Sequence, residues 1–131
     1  MLEIGKAEAE WARKEEERRS DIRKERWEEV RKEAFVRVAY ERNAERLRAQ
    51  LDSRDAAAAM RAYAGQVDAR AEALEAPDAQ AAREWAAWIR AHAARTDPLN
   101  GALRVAKVTA CSYEELQRHM NGWSAHGPYR H

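Results

Sequence analysis

The sequence predicts an all-α protein: a long charged N-terminal helix of coiled-coil character, a small helical head of two to three helices, and an aromatic C-terminal tail. Charged residues make up 36% of the chain and hydrophobic residues 45%, and Ala supplies much of the hydrophobic part. Such a composition is typical of long helices and coiled coils. Only five Gly and three Pro are present, which indicates few turns.

The long helix is predicted over residues 6–51, where the sequence has neither Pro nor Gly and almost every residue favours a helix. Glu10–Lys14 and Glu28–Lys32 are examples of opposite charges four residues apart, a spacing that supports an exposed helix. From Lys6 to about Ser20, Trp11 is the only large apolar residue. We expect this first part either to fray in solvent or to be ordered by a partner.

Apolar side chains then become dense over residues 34–40, and they make the helix apolar on most sides. We expect other helices to meet the long helix there. Asp52 and Ser53 are capping residues, and they favour a bend or short turn over a continuous helix. On this interpretation the long helix is residues 1–51 and the head with its tail is residues 52–131, in one structural unit overall.

Within the head, a second helix is predicted from Asp55 to Glu75, because the residue before Pro77 avoids helical backbone angles. A third helix is predicted over Asp78–Arg95. Trp residues at helical spacing opposite Ala-rich helices are typical of a core, since Ala leaves room for them. The predicted buried face of the third helix is therefore Ala81, Trp85, Trp88, Ile89 and His92.

The C-terminal region begins with a strong capping signal. Ser112 and Glu115 have the spacing of a capping box, which predicts a short helix from there to about Met120. The segment Trp123–Tyr129 is too aromatic for a solvated end. We expect it to fold back onto the helices.

No catalytic or metal site is indicated by the residues. Among His119, His126 and His131, which lie near Cys111, only His126 and His131 come near the paired spacings of structural zinc sites, and His131 is the terminal residue. A Cys111–His119 nucleophile pair lacks a marked orienting residue. HExxH, P-loop and GxGxxG motifs are absent from the sequence. We therefore expect no enzyme activity, no cofactor and no metal.

Localisation and charge narrow the function further. A single cysteine favours the reducing cytosol, and neither a signal-peptide core nor an apolar run of about 20 residues is present. We expect a cytoplasmic protein without a membrane partner. The balance of 24 basic and 23 acidic residues argues against a strongly basic nucleic-acid domain.

Four short motifs carry a resemblance. They are Arg61-Ala62-Tyr63, Trp85-Ala86-Ala87-Trp88, Asp97-Pro98-Leu99 and the stretch from Gly122 to Pro128. Over roughly residues 20 to 129, the chain resembles the C-terminal helical region of uncharacterised actinobacterial proteins that share R-x-Y, W-x-x-W followed by D-P-L, and G-W-S-x-x-G-P. The resemblance implies no activity. It implies that the helical arm normally follows an N-terminal domain.

These observations favour a non-enzymatic helical interaction or assembly module that self-associates or binds a partner protein through the long helix. The predicted interface residues are Trp27, Val30, Phe35, Val36, Val38, Tyr40, Leu47 and Leu51. The alternative is a nucleic-acid-associated protein whose arginine stripes contact phosphates. Its predicted phosphate contacts are Arg19, Arg23, Arg26, Arg42 and Arg46.

Overall fold

The computed structural model describes residues 2–108 and 110–130, with side chains from Ile4 onward. It confirms the all-α class. Two long elements, α1 (Leu2–Glu72) and α2 (Asp78–Thr96), are followed by a short 3₁₀ turn (Pro98–Asn100) and by α3 (Tyr113–Gln117). No strand occurs within residues 2–108 and 110–130, where an isolated bridge joins Trp123 to Arg130.

The predicted bend at Asp52 and Ser53 is wrong, because α1 runs without interruption through both residues. Asp and Ser cost a helix interior only about 0.7 kcal/mol or less each relative to Ala. Four consecutive Ala residues, 56–59, follow after Arg54 and Asp55 and favour the helix. Two weak helix formers next to strong ones therefore do not break it.

The chain divides into two compact units. The first combines Met1–Arg42 with Ala106–His131, and the second is Asn43–Val105. The predicted boundary at residue 51 lies inside α1 and inside the second unit. Each unit has its own hydrophobic cluster.

The core of the first unit forms where the C-terminal segment covers one face of α1. Ala34 of α1 is fully buried together with Met120, and Leu116 and Ala125 are almost fully buried beside them. The half-buried residues packed against this cluster are Trp27, Val30, Phe35, Cys111 and Trp123. The prediction that the tail folds back is confirmed.

The core of the second unit is built from alanines that recur every seven residues. They are Ala57, Ala64 and Ala71 on α1, and Ala79, Ala86 and Ala93 on α2, and all are buried. Residues seven apart lie on nearly the same side of a helix. Ile89 completes the buried face of α2, while Met60 and Val67 pack against it from α1. Because the separation of two helices depends on the side chains at their contact, Ala lets them approach closely.

The two tryptophans of α2 point away from this core. Trp85 is 49% exposed and Trp88 is 57% exposed, so their prediction as core residues is wrong. The Ala contact leaves no space for an indole between the helices. Of the other residues predicted on the buried face of this helix, Ile89 is buried, His92 is half-buried and Ala81 is exposed.

Candidate interaction surface

The first unit presents two opposite faces of α1. Four of the predicted interface residues lie on or beside the covered face: Trp27, Val30, Phe35 and Val38. Val38 is buried and the other three are half-buried. The chain itself therefore covers these four side chains in part or in full.

Polar contacts fix the C-terminal segment on this face. The indole Nε1 of Trp27 donates a hydrogen bond to the carbonyl oxygen of Ser124 at 2.7 Å. Arg42 donates from Nε at 3.3 Å and from Nη2 at 3.0 Å to the Glu115 carboxylate. This hydrogen bond from Arg42 is the main reason why the pKa of Glu115 lies below its ordinary value.

Glu115 also belongs to the start of α3. Its backbone amide donates to the Ser112 hydroxyl at 3.2 Å, as the capping prediction requires. The helix ends at Gln117 rather than near Met120. Beside it, His119 Nε2 lies 3.1 Å from a Glu41 carboxylate oxygen, without the alignment of a hydrogen bond.

The opposite face of α1 carries an apolar row that the chain leaves exposed. We define the exposed stripe as Ile4, Trp11, Ile22, Val36 and Tyr40. Because an α-helix turns through about 100° per residue, these five residues fall within a sector of about 40°. Trp11 and Val36 are each 68% exposed and Tyr40 is 75% exposed. Val36 and Tyr40 are the predicted interface residues that belong to this stripe.

The first part of α1 lies outside any core. From Ile4 to Arg26 every residue is exposed apart from Glu15, which is half-buried. Sequence reasoning missed Ile4 and Ile22 as interface residues. The sequence does contain a pattern that places them on the same side of the helix as Trp11: Ile4 lies seven residues before it and Ile22 eleven residues after it. Such a sparse row is invisible in a short window, yet it keeps to one side of a helix with 3.6 residues per turn.

Two further predicted interface residues belong to the second unit. Leu47 is 56% exposed and Leu51 is 42% exposed. Near Leu47, the Arg46 guanidinium donates to the carbonyl oxygens of Ala102 at 3.0 Å and Arg104 at 3.2 Å. These bonds hold the segment after the 3₁₀ turn against α1.

The arginines of the alternative hypothesis are mostly engaged in contacts within the chain. Arg42 is bound to Glu115 and Arg46 to backbone carbonyls. On the exposed part of α1, Arg19 lies 3.5 Å from Glu15 and Arg23 lies 3.5 Å from Glu16. Interleaved carboxylates of this kind offset the positive potential that a phosphate backbone would need.

An aromatic groove lies on the second unit. The rings of Trp85 and Trp88 stack with centroids 5.3 Å apart, and Trp88 stacks on His92 at 5.1 Å. With Met60 and Tyr63 of α1 they line an open groove of about 370 Å³ that is almost wholly apolar. Its lining has no paired acid and base that could carry out catalysis.

Asp97 makes the second unit sensitive to acid. The carboxylate accepts hydrogen bonds from the Leu99 amide at 3.0 Å and from Arg61 Nη2 at 2.8 Å. These bonds lower the pKa of Asp97 below its ordinary value of 3.8, and the bond from the Leu99 amide is the largest cause. A lowered pKa in the folded state means that the unfolded chain binds the proton more readily. The resulting stability is complete above the ordinary value and is lost as the pH falls through the folded pKa.

We therefore expect the thermal midpoint of the second unit to fall as the pH drops below about 3.8, the ordinary value for Asp97. Asp97→Asn should flatten this part of the curve, and Arg61→Gln should flatten it less, because the Leu99 amide still donates. The measurement is a series of thermal melts followed by circular dichroism. Parallel curves for all three proteins would show that Asp97 does not provide the pH dependence.

No protein-family model, curated protein or solved structure matches this chain. The resemblance to actinobacterial proteins therefore stays a prediction. Among the described residues, no helix is long and apolar enough to cross a membrane. The same residues hold no cluster of three or more His, Cys, Asp or Glu side chains suited to a metal ion; His131 lies outside them.

Proposed function

We propose that this chain is a non-enzymatic assembly module that self-associates by packing α1 against the α1 of a second copy. One observation supports this above all. Residues 4–26 form a helix that the described chain leaves uncovered, and that helix carries Ile4, Trp11 and Ile22 on one side.

A helix in this state needs a partner for physical reasons. Isolated helices are marginal in water, and most helix stability in proteins comes from packing an apolar face. The exposed stripe is narrow and is flanked by charged residues, which suits contact with another helix better than contact with a flat surface. Fully burying an Ile side chain contributes about 1.5–3 kcal/mol, so a few such contacts can stabilise both helices.

The spacing of the stripe also indicates how the helices would pack. Steps of seven, eleven and fourteen residues lead from Ile4 to Trp11, Ile22 and Val36. Pure heptads give a left-handed supercoil and eleven-residue repeats a right-handed one. A mixture of the two stays close to the straight-helix period. We therefore propose a coiled-coil-like pair with little supercoiling.

The test is the molecular mass in solution. Light scattering at micromolar concentration should report about twice the chain mass of 15.1 kDa. Trp11→Ala should weaken the association about tenfold or more, since truncating a buried aromatic anchor removes at least about 1.4 kcal/mol.

The matched control is Trp85→Ala, which removes the same side chain from an exposed position in the second unit. It should leave the association unchanged. A strictly monomeric wild-type protein would refute self-association. Equal effects of both substitutions would place the contact somewhere other than the exposed stripe.

A further inference from the structure

Two charged residues lie within the narrow sector of the exposed stripe. At about 100° per residue, Arg18 and Glu29 fall in the same sector of about 40° as the five apolar residues. Both side chains are exposed. Arg18 is paired with Glu15 one turn earlier, whereas Glu29 has no ion-pair partner among the described residues. The stripe therefore has one positive and one negative interruption.

The charges distinguish the two ways in which two copies of α1 can pair. A parallel pair in register places Arg18 against Arg18 and Glu29 against Glu29. Both layers then join like charges in the centre of the contact, which is unfavourable. In an antiparallel pair, residues closer to the N-terminus of one helix meet residues closer to the C-terminus of the other, so Arg18 can lie opposite Glu29.

The antiparallel register that pairs the charges also brings Trp11 against a second apolar residue of the stripe, whereas Ile22 lies opposite Glu25. When Arg18 of one copy lies opposite Glu29 of the other, Trp11 lies opposite Val36. In an antiparallel pair, moving seven residues toward the N-terminus on one helix means moving seven residues toward the C-terminus on the other. In the same register Ala7 lies opposite Tyr40, and the small Ala side chain leaves room for the phenol ring. Twofold symmetry makes each of these contacts occur twice.

In this register, the part of α1 that is not packed against the rest of its own chain lies along a part of the second α1 that is packed on its opposite face. The uncovered residues 7–26 would lie along residues 21–40 of the second copy. In the latter range the C-terminal segment already covers the opposite face of α1 at Ala34. In a parallel pair the two uncovered parts would have only each other.

We propose that two copies of this chain associate through antiparallel α1 helices, with Arg18 of each copy bound to Glu29 of the other and Trp11 packed on Val36. This inference rests on the proposed self-association and adds its orientation and register. Buried or central polar residues commonly fix the register of helix pairs, at some cost in stability. Here the charge pair would select the antiparallel arrangement.

Cysteine cross-linking tests the orientation. In a Cys111→Ser background, which removes the chain's only cysteine, Ala7→Cys and Tyr40→Cys are made in separate proteins, mixed and oxidised. The antiparallel pair predicts a disulfide between the two different variants and none between two copies of Ala7→Cys. Cross-linking of Ala7→Cys with itself in a protein that light scattering reports as a dimer would overturn the orientation and leave self-association intact. A monomer would overturn both proposals.

Charge reversal tests the register. Arg18→Glu alone should weaken dimerisation about tenfold, since it places a second carboxylate opposite that of Glu29, twice per dimer. Glu29→Arg alone should do the same, with two guanidinium groups in each layer. An equimolar mixture of the two variants should form a heterodimer as strong as the wild-type dimer, because each unfavourable layer becomes an opposite-charge layer.

Circular dichroism of each variant controls for helix content, because Arg18→Glu also removes the Arg18–Glu15 contact. A mixture that associates no better than either variant alone would overturn the register.

Discussion

Met120→Ala is expected to lower the free energy of unfolding of the first unit by about 2–5 kcal/mol, the range for truncating a buried Met to Ala. Met120 is completely buried in one cluster with Ala34 of α1 and the tail residue Ala125. Removing three side-chain heavy atoms at this place leaves a cavity that the short α3 segment cannot close. The C-terminal segment should then dissociate from α1.

The measurement is amide hydrogen exchange resolved by peptide, which reports on the first unit separately from the second. In Met120→Ala, amides of residues 27–42 should exchange faster, because they lose the cover of the C-terminal segment. Leu103→Ala is the matched control, since it truncates an apolar side chain that is 63% exposed. Equal protection in the two variants would contradict the assignment of Met120 to the core.

Features that depend on neighbours along the chain could be predicted from the sequence. The sequence predicts the third helix over Asp78–Arg95, and the structure has it as α2 over Asp78–Thr96. Ser112 was predicted to cap α3, and its hydroxyl does so. Pro77, Pro98 and the capping hydroxyl act within a few residues, so their effect does not depend on the rest of the fold.

Features that depend on distant parts of the chain could not be predicted. The sequence shows that residues 34–40 are apolar on most sides, but it does not show which side the C-terminal segment covers. That segment packs on Ala34 and leaves Val36 and Tyr40 exposed. Nor does any local pattern link Arg42 to Glu115, which lies far along the chain and binds it in the fold. These contacts exist only after the segment has docked.

The alanine repeat of α2 gives the second large effect. Ala86→Leu is expected to destabilise the second unit by about 1–3 kcal/mol, because added volume in a packed core forces neighbouring side chains or the backbone to move. Ala86 is completely buried against Ala64 and Ile89.

Ala87→Leu is the matched control: the same change at the next residue, which is exposed. Because Leu is nearly as good a helix former as Ala, this control should stay within about 0.5 kcal/mol of wild type in chemical denaturation. A comparable loss in both variants would mean that the helices are not in close contact at Ala86. In our explanation, Trp85 and Trp88 point outward because the alanines already fill the space between the two helices. If the helices are not in close contact, that explanation of the outward position fails.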